Sequence, residues 1–223
     1  MSTKIGIIAE GAIDHALLPA LLSRIAEEKA KFTWPVTAAD IAEIFPIRKR
    51  GHGGVLETVR ALVRVLDTEY FDHACFVIVL DRRTRPVQRE VERLIQGKDR
   101  FVLGIAIEKV EAWWLGDRTN TLAWSGLRDR LPTDCRYAAR KYQAEADDFP
   151  KKTLDELTRL SDQFDRFYGD GNLDMADEFA EQYWRSHARL TEIASQCPEG
   201  FGRFQDRMTN RFRQVKAASG RLF

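Results

Sequence analysis

The stretch His73-Ala74-Cys75-Phe76-Val77-Ile78-Val79-Leu80-Asp81 decides the fold. Its apolar run is nearly unbroken, rich in β-branched residues, and ends on a carboxylate. Such a run is a strand buried on both faces, which is the habit of a parallel sheet covered by helices. Two flanking segments repeat the pattern. Ile5 to Ala9 leads into Glu10-Gly11-Ala12-Ile13-Asp14, and Phe101 to Ile107 leads into Glu108-Lys109-Val110-Glu111. Carboxylates just past parallel strands converge at the C-terminal edge of a sheet, where open α/β folds bind ligands. Three such ends could build a cation site of the kind that serves phosphate chemistry.

Between these segments the spacing predicts helices. Ile13 to Lys31 places Ile13, Leu17, Leu18, Leu21, Leu22 and Ile25 on one face, and Val87, Val91, Leu94 and Ile95 mark another helix that ends at Gly97. A further strand is expected over Glu43 to Lys49, at an edge or a bulge because of Pro46. A loop at Gly51-His52-Gly53-Gly54 then precedes a helix from Val55 to Asp67. Strand and helix alternating in this way define an α/β class with a mostly parallel sheet flanked by helices. After Asp117 the pattern changes. Trp113-Trp114-Leu115, Leu122 to Leu131, Thr153 to Phe164, Met175 to Cys197 and Phe201 to Val215 read as helices, with a turn at Gly169-Asp170-Gly171-Asn172. The expected organisation is an α/β core over residues 1–117 and a helical C-terminal extension over 118–223 packed on it, possible as one domain.

With 44% hydrophobic and 31% charged residues, the chain falls in the ordinary globular class. Met-Ser-Thr-Lys runs straight into a strand, so no signal peptide is expected. No run approaches the roughly 18 apolar residues of a membrane span. Cys75, Cys135 and Cys197 are odd in number and lack zinc spacing, which suits reduced thiols and a cytoplasmic location. The net charge of +1 is uneven: 144–182 holds 12 acidic and 4 basic residues, and 201–223 holds 6 basic and 1 acidic. Arg48, Lys49 and Arg50 form a second basic cluster and Arg82, Arg83 and Arg85 a third. They are candidates for phosphate or nucleic-acid binding, with a solvated surface as the alternative.

Each acidic end also has a plain structural reading. Glu10 and Asp14 fit a helix start, Asp81 an ion pair with the adjacent arginines, and Glu108 and Glu111 one face of a helix. Trp113 and Trp114 suit a core better than base stacking. The glycine loop lacks the ending of a nucleotide P-loop. No Ser-His-Asp, HExxH or dinucleotide pattern is present.

The residues Glu10-Gly11 with Asp14, the strand ending in Asp81, and Val110-Glu111-Ala112-Trp113-Trp114-Leu115-Gly116-Asp117 together resemble the Toprim family. That fold is shared by topoisomerases, primases and overcoming-lysogenisation-defect nucleases. More narrowly, the chain is similar to a small bacterial branch whose function is not established, often encoded beside an ATPase and in phage-defence loci. Pro150-Lys151-Lys152 and Cys197-Pro198-Glu199-Gly200-Phe201-Gly202-Arg203-Phe204 extend the likeness over most of the chain. The resemblance implies a Toprim-like, Rossmann-like fold and a nuclease dependent on Mg²⁺ or Mn²⁺. Glu10 would be the general acid/base, Asp81 and Glu111 would be catalytic metal ligands, and Glu108 and Glu10 would be further candidates for the metal shell. Partners would be nucleic acid, DNA or RNA, and an ATPase. Where that family carries Asp-x-Asp, this chain reads Asp81-Arg82-Arg83. The departure keeps open a degenerate subunit that binds nucleic acid or the ATPase without cleavage. The oligomeric state is left open.

Overall fold

The computed structural model describes residues 3–32, 35–41, 51–66 and 72–219. Four strands form one all-parallel sheet: β1 Thr3–Ile8, β2 Val36–Asp40, β3 His73–Asp81 and β4 Phe101–Ala106, in the order β2-β1-β3-β4. Helix α1, Ala12–Arg24, follows β1 and runs into a π-helical turn, Ile25–Lys29. Helix α2, Gly51–Val65, precedes β3, and α3, Arg85–Ile95, joins β3 to β4. Beyond β4 come α4 Val110–Gly116, α5 Arg118–Trp124, α6 Pro150–Leu160 and α7 Leu173–Phe179. A second π-turn, Ala180–Trp184, leads to the short α8, Arg185–His187, followed by α9 Leu190–Gln196 and α10 Arg203–Ser219. This is the Rossmann-like α/β architecture that strand–helix alternation predicts. Among the described residues no helix is long and apolar enough to cross a membrane.

Side-chain alternation along the strands sorts the core into two layers. Ile5, Ile7, Cys75, Val77, Val79, Val102 and Ala106 face one side, and Ile8, Phe76, Ile78, Leu80, Phe101 and Leu103 the other. The second layer is closed by Val55, Val59 and Leu62 of α2, at helical spacing, and by Val91 of α3. The first is closed by Leu17, Leu18, Leu21 and Leu22 of α1 and by residues of the C-terminal helices as far as Phe212. Residues before and after Asp117 therefore share one apolar cluster.

Several boundaries differ from expectation. The strand expected at Glu43–Lys49 lies outside the described residues, as do Arg48, Lys49 and Arg50; the edge strand observed beside β1 is Val36–Asp40. Gly51 to Gly54, expected as a loop, is the first turn of α2, with Gly51 at a left-handed φ of 69° where glycine carries no Cβ penalty. The helix expected over Met175–Cys197 breaks at Ala188 and Arg189. The break is tertiary in origin, since the Arg189 N–H donates to the Asp117 carboxylate at 3.3 Å.

Two of the basic residues of α10 serve the fold. The guanidinium of Arg207 donates to the Leu103 carbonyl at 2.7 Å and that of Arg211 to the Ala74 carbonyl at 2.6 Å. Phe204 of the same helix lies over Gly104 and stacks on Trp113, ring centroids 5.2 Å apart. A Cβ on Gly104 would stand 2.7 Å from the Phe204 ring. Both aromatic rings are buried and cannot yield cheaply, so Gly104→Ala is expected to cost about 1–3 kcal/mol by overpacking. Gly53→Ala, with open space at that Cβ, is the control that leaves the thermal midpoint unchanged or slightly raised.

Candidate active site

The strand order reverses between β1 and β3, which makes their C-terminal ends the topological switch point where such sheets leave a crevice. A cleft of about 330 Å³ opens there. Glu10 and Asp14 enter it from the β1–α1 turn, Asp81 from the end of β3, and Glu111 from the first turn of α4. The start of α2 lines it as well, with the Gly51 N–H donating to the Glu10 carbonyl at 3.2 Å. The acidic ends expected to converge do converge.

Each carboxylate is held by a defined contact. A Glu10 oxygen accepts the Asp81 backbone N–H at 3.1 Å, tying the ends of the two central strands together. Asp14 accepts the Gly11 N–H at 3.0 Å at the start of α1. Asp81 faces the Lys109 ammonium at 3.2 Å. Glu111 is 3% exposed and accepts the Tyr168 hydroxyl at 2.8 Å, with the Lys151 ammonium 3.5 Å away. Tyr168, Lys109 and Lys151 are members of the site that sequence reasoning gave no role. Tyr168 lies 57 residues beyond Glu111, and no local pattern announces it.

Burial sets the electrostatics of the cleft, and the proximity of Glu10, Asp14, Asp81 and Glu111 adds to it. Burial, then the charge of Glu111, pushes the Asp14 carboxyl up to about 7 against the opposing Gly11 N–H. Burial also lifts Asp81 to about 6, with Lys109 pulling down and Glu10 and Glu111 pushing up. For Lys109, burial disfavours the ammonium, but Asp81 and the other acids outweigh it and hold its pKa above the usual value. Burial and the neighbouring Glu111 charge raise the Tyr168 phenol as well, keeping it a hydrogen-bond donor.

Glu108 does not enter this cleft. It sits at a left-handed φ of 65° and takes Nε of Arg83 at 2.8 Å, while a second Arg83 nitrogen donates to the Asp148 carbonyl at 3.0 Å. Arg82 is exposed in the single turn after β3. Asp117 lies among the C-terminal helices, bonded to the Asn120 amide at 2.8 Å. Trp113 and Trp114 are fully buried, in keeping with a core role.

Among the described residues the side-chain donors in the cleft are carboxylate oxygens, without thiolate or imidazole. That chemistry fits a hard divalent cation such as Mg²⁺ or Mn²⁺, and one would offset the burial and neighbouring negative charge that lift Asp14 and Asp81. Among the described residues no group of three or more His, Cys, Asp or Glu side chains stands close enough together to hold a metal ion as the side chains lie. In comparisons with known proteins, the chain matches no family model, no curated protein and no solved structure.

Proposed function

We propose that the cleft binds a divalent cation and that the chain is a Toprim-type enzyme cleaving phosphodiester bonds. The observation that carries this reading is the convergence of Glu10, Asp14, Asp81 and Glu111 from three strand ends on one crevice. Asp81 and Glu111 would hold the cation, with Asp14 beside them. When bound, it supplies Lewis-acid polarisation of the scissile phosphate. Glu10, which accepts the Asp81 backbone N–H, would move the proton. Among the described residues Lys109 and Lys151 are the ammonium groups lining the cleft, and they would offset charge developing on the phosphate. Arg83 is turned to Glu108 and the Asp148 carbonyl and does not line the cleft, so the lysines are better placed for that task. The expected ATPase partner and defence role rest on the family resemblance alone.

The test is hydrolysis of labelled single-stranded oligonucleotides and of bis(4-nitrophenyl) phosphate with Mn²⁺. Asp81→Asn is expected to abolish turnover and Glu10→Gln to lower it by about a hundredfold or more, each with an unchanged circular dichroism spectrum. Full activity in Asp81→Asn would sink the proposal.

A second reading is favoured by one contact. The Lys109 ammonium stands 3.2 Å from Asp81, in the position a cation would take against that carboxylate. In this reading the chain is a non-catalytic subunit whose acids are neutralised internally. It predicts salt-sensitive nucleic-acid binding with no metal requirement.

A further inference from the structure

Beside the carboxylate cleft lies a second, smaller chamber of about 160 Å³, and Lys109 and Lys151 line both. Its floor is unusual for a surface. Phe149 is 49% exposed, the most of any large apolar side chain among the described residues, and the Lys152 ammonium sits 4.6 Å from its ring centroid. Arg83, paired with Glu108, closes another side, and Asp148 completes the lining. The chamber is well below the roughly 300–1,000 Å³ of sites for drug-sized ligands, so it suits a single flat ring.

The segment carrying Phe149 is firmly held. The buried Asp147 carboxylate accepts the Phe149 N–H at 2.9 Å, the Tyr142 hydroxyl at 3.0 Å and the Thr153 hydroxyl, and it pairs with Arg136 at 3.2 Å. The ring is thus presented from a fixed turn. Helix α6 then starts Pro150-Lys151-Lys152-Thr153, with no acid in its first turn. Two cations at a helix N-terminus oppose the helix dipole. An anion placed there would answer both the dipole and the lysines.

Four cations, Arg83, Lys109, Lys151 and Lys152, outnumber the two acids, Glu108 and Asp148, around this exposed ring, and an aromatic face with net positive surroundings beside a site suited to phosphate is the arrangement that holds single-stranded nucleic acid by stacking and charge. We propose that the Phe149 chamber is a nucleobase subsite for single-stranded nucleic acid. One base stacks on Phe149 while Lys151 and Lys152 meet the adjoining phosphates and lead the strand into the carboxylate cleft. As a description of substrate the proposal rests on the phosphodiesterase reading, but base binding itself requires no metal. Ribo- and deoxyribo-strands share the recognised chemistry, and the test separates them.

The experiment is fluorescence anisotropy of labelled oligothymidylate and oligouridylate octamers, at low salt and in chelator. A matching octamer with abasic sites serves as the charge control. Phe149→Ala is expected to weaken binding of the base-bearing octamers about tenfold, the loss of one stacked base. Phe149→Tyr should stay within about twofold of wild type, because tyrosine keeps the π-face. The abasic octamer should bind wild type and Phe149→Ala alike, and Lys152→Ala should weaken all strands and flatten their salt dependence. Phe149→Ala matching wild type, equal affinity for abasic and base-bearing strands, or no binding of either octamer by folded wild type would each overturn the subsite. The two readings fail separately. Phe149-dependent binding in a chain that takes up no Mn²⁺ refutes the enzyme and leaves the subsite. Mn²⁺ uptake with Phe149-independent binding does the reverse.

Discussion

Alanine at Trp114 is expected to remove about 3–5 kcal/mol of stability, a large share of the roughly 5–15 kcal/mol a domain has. The indole is fully buried and touches three other rings, with centroids 4.6 Å from Phe179, 5.0 Å from Trp124 and 5.4 Å from Tyr168. It therefore locks α4 to α5 and α7, and its loss leaves a cavity that three elements must collapse to fill. Tyr168 is also the donor to Glu111, so the same substitution should loosen the candidate site. Urea denaturation followed by circular dichroism reads the effect as a lower midpoint with little change in slope. Trp114→Phe, which keeps a ring, should recover much of the loss. A cost below about 1 kcal/mol for Trp114→Ala would show that this cluster does not carry the C-terminal packing.

The second large effect is on pH. In the unfolded chain Asp14 and Asp81 titrate near the ordinary value of about 3.9; in the fold they are lifted to about 7 and about 6. Between those values the native state binds more protons than the unfolded state. Stability therefore falls as pH rises across that window, and the contribution is fully present below the unfolded pKa and gone above the folded one. The slope is on the order of 1.4 kcal/mol per pH unit for each group where it titrates alone, less where the two are coupled. Asp14→Asn should flatten the profile between pH 4 and pH 7 and raise stability at pH 8. Asparagine keeps an oxygen for the Gly11 N–H, so the helix start survives. Thermal melts at a series of pH values decide the matter. A profile that rises from pH 4 to pH 7 in wild type would contradict the raised pKa values. A divalent cation needs these groups deprotonated, so its affinity should weaken as pH drops below about 7.

The parts of the fold that were legible are those written in local pattern. The run from His73 to Leu80 announces a strand buried on both faces, and β1, β3 and β4 fall where apolar runs end in acids. The convergence of Glu10, Asp81 and Glu111 follows from that reading, because parallel strands bring their ends together. What stayed hidden depends on tertiary contact. Val36–Asp40, Val-Thr-Ala-Ala-Asp, is too short and too mildly apolar to stand out as an edge strand. No glycine or proline marks the break at Ala188–Arg189; the Asp117 carboxylate makes it. Glu108 shares local sequence with Glu111, yet a left-handed backbone sends it to Arg83. Lys109 and Tyr168 meet their acids across 28 and 57 residues, distances at which sequence spacing carries no information.

A cation site at the acidic ends of β1, β3 and the first turn of α4 is the proposal on which the enzymatic reading depends. Calorimetric titration of Mn²⁺ into wild type and Asp81→Asn at pH 8, with circular dichroism confirming that both are folded, tests it most directly. Saturable binding is expected in wild type and is expected to be lost in the variant. Absence of binding in folded wild type, or equal binding in both proteins, would contradict it and leave Lys109 as the partner that neutralises Asp81.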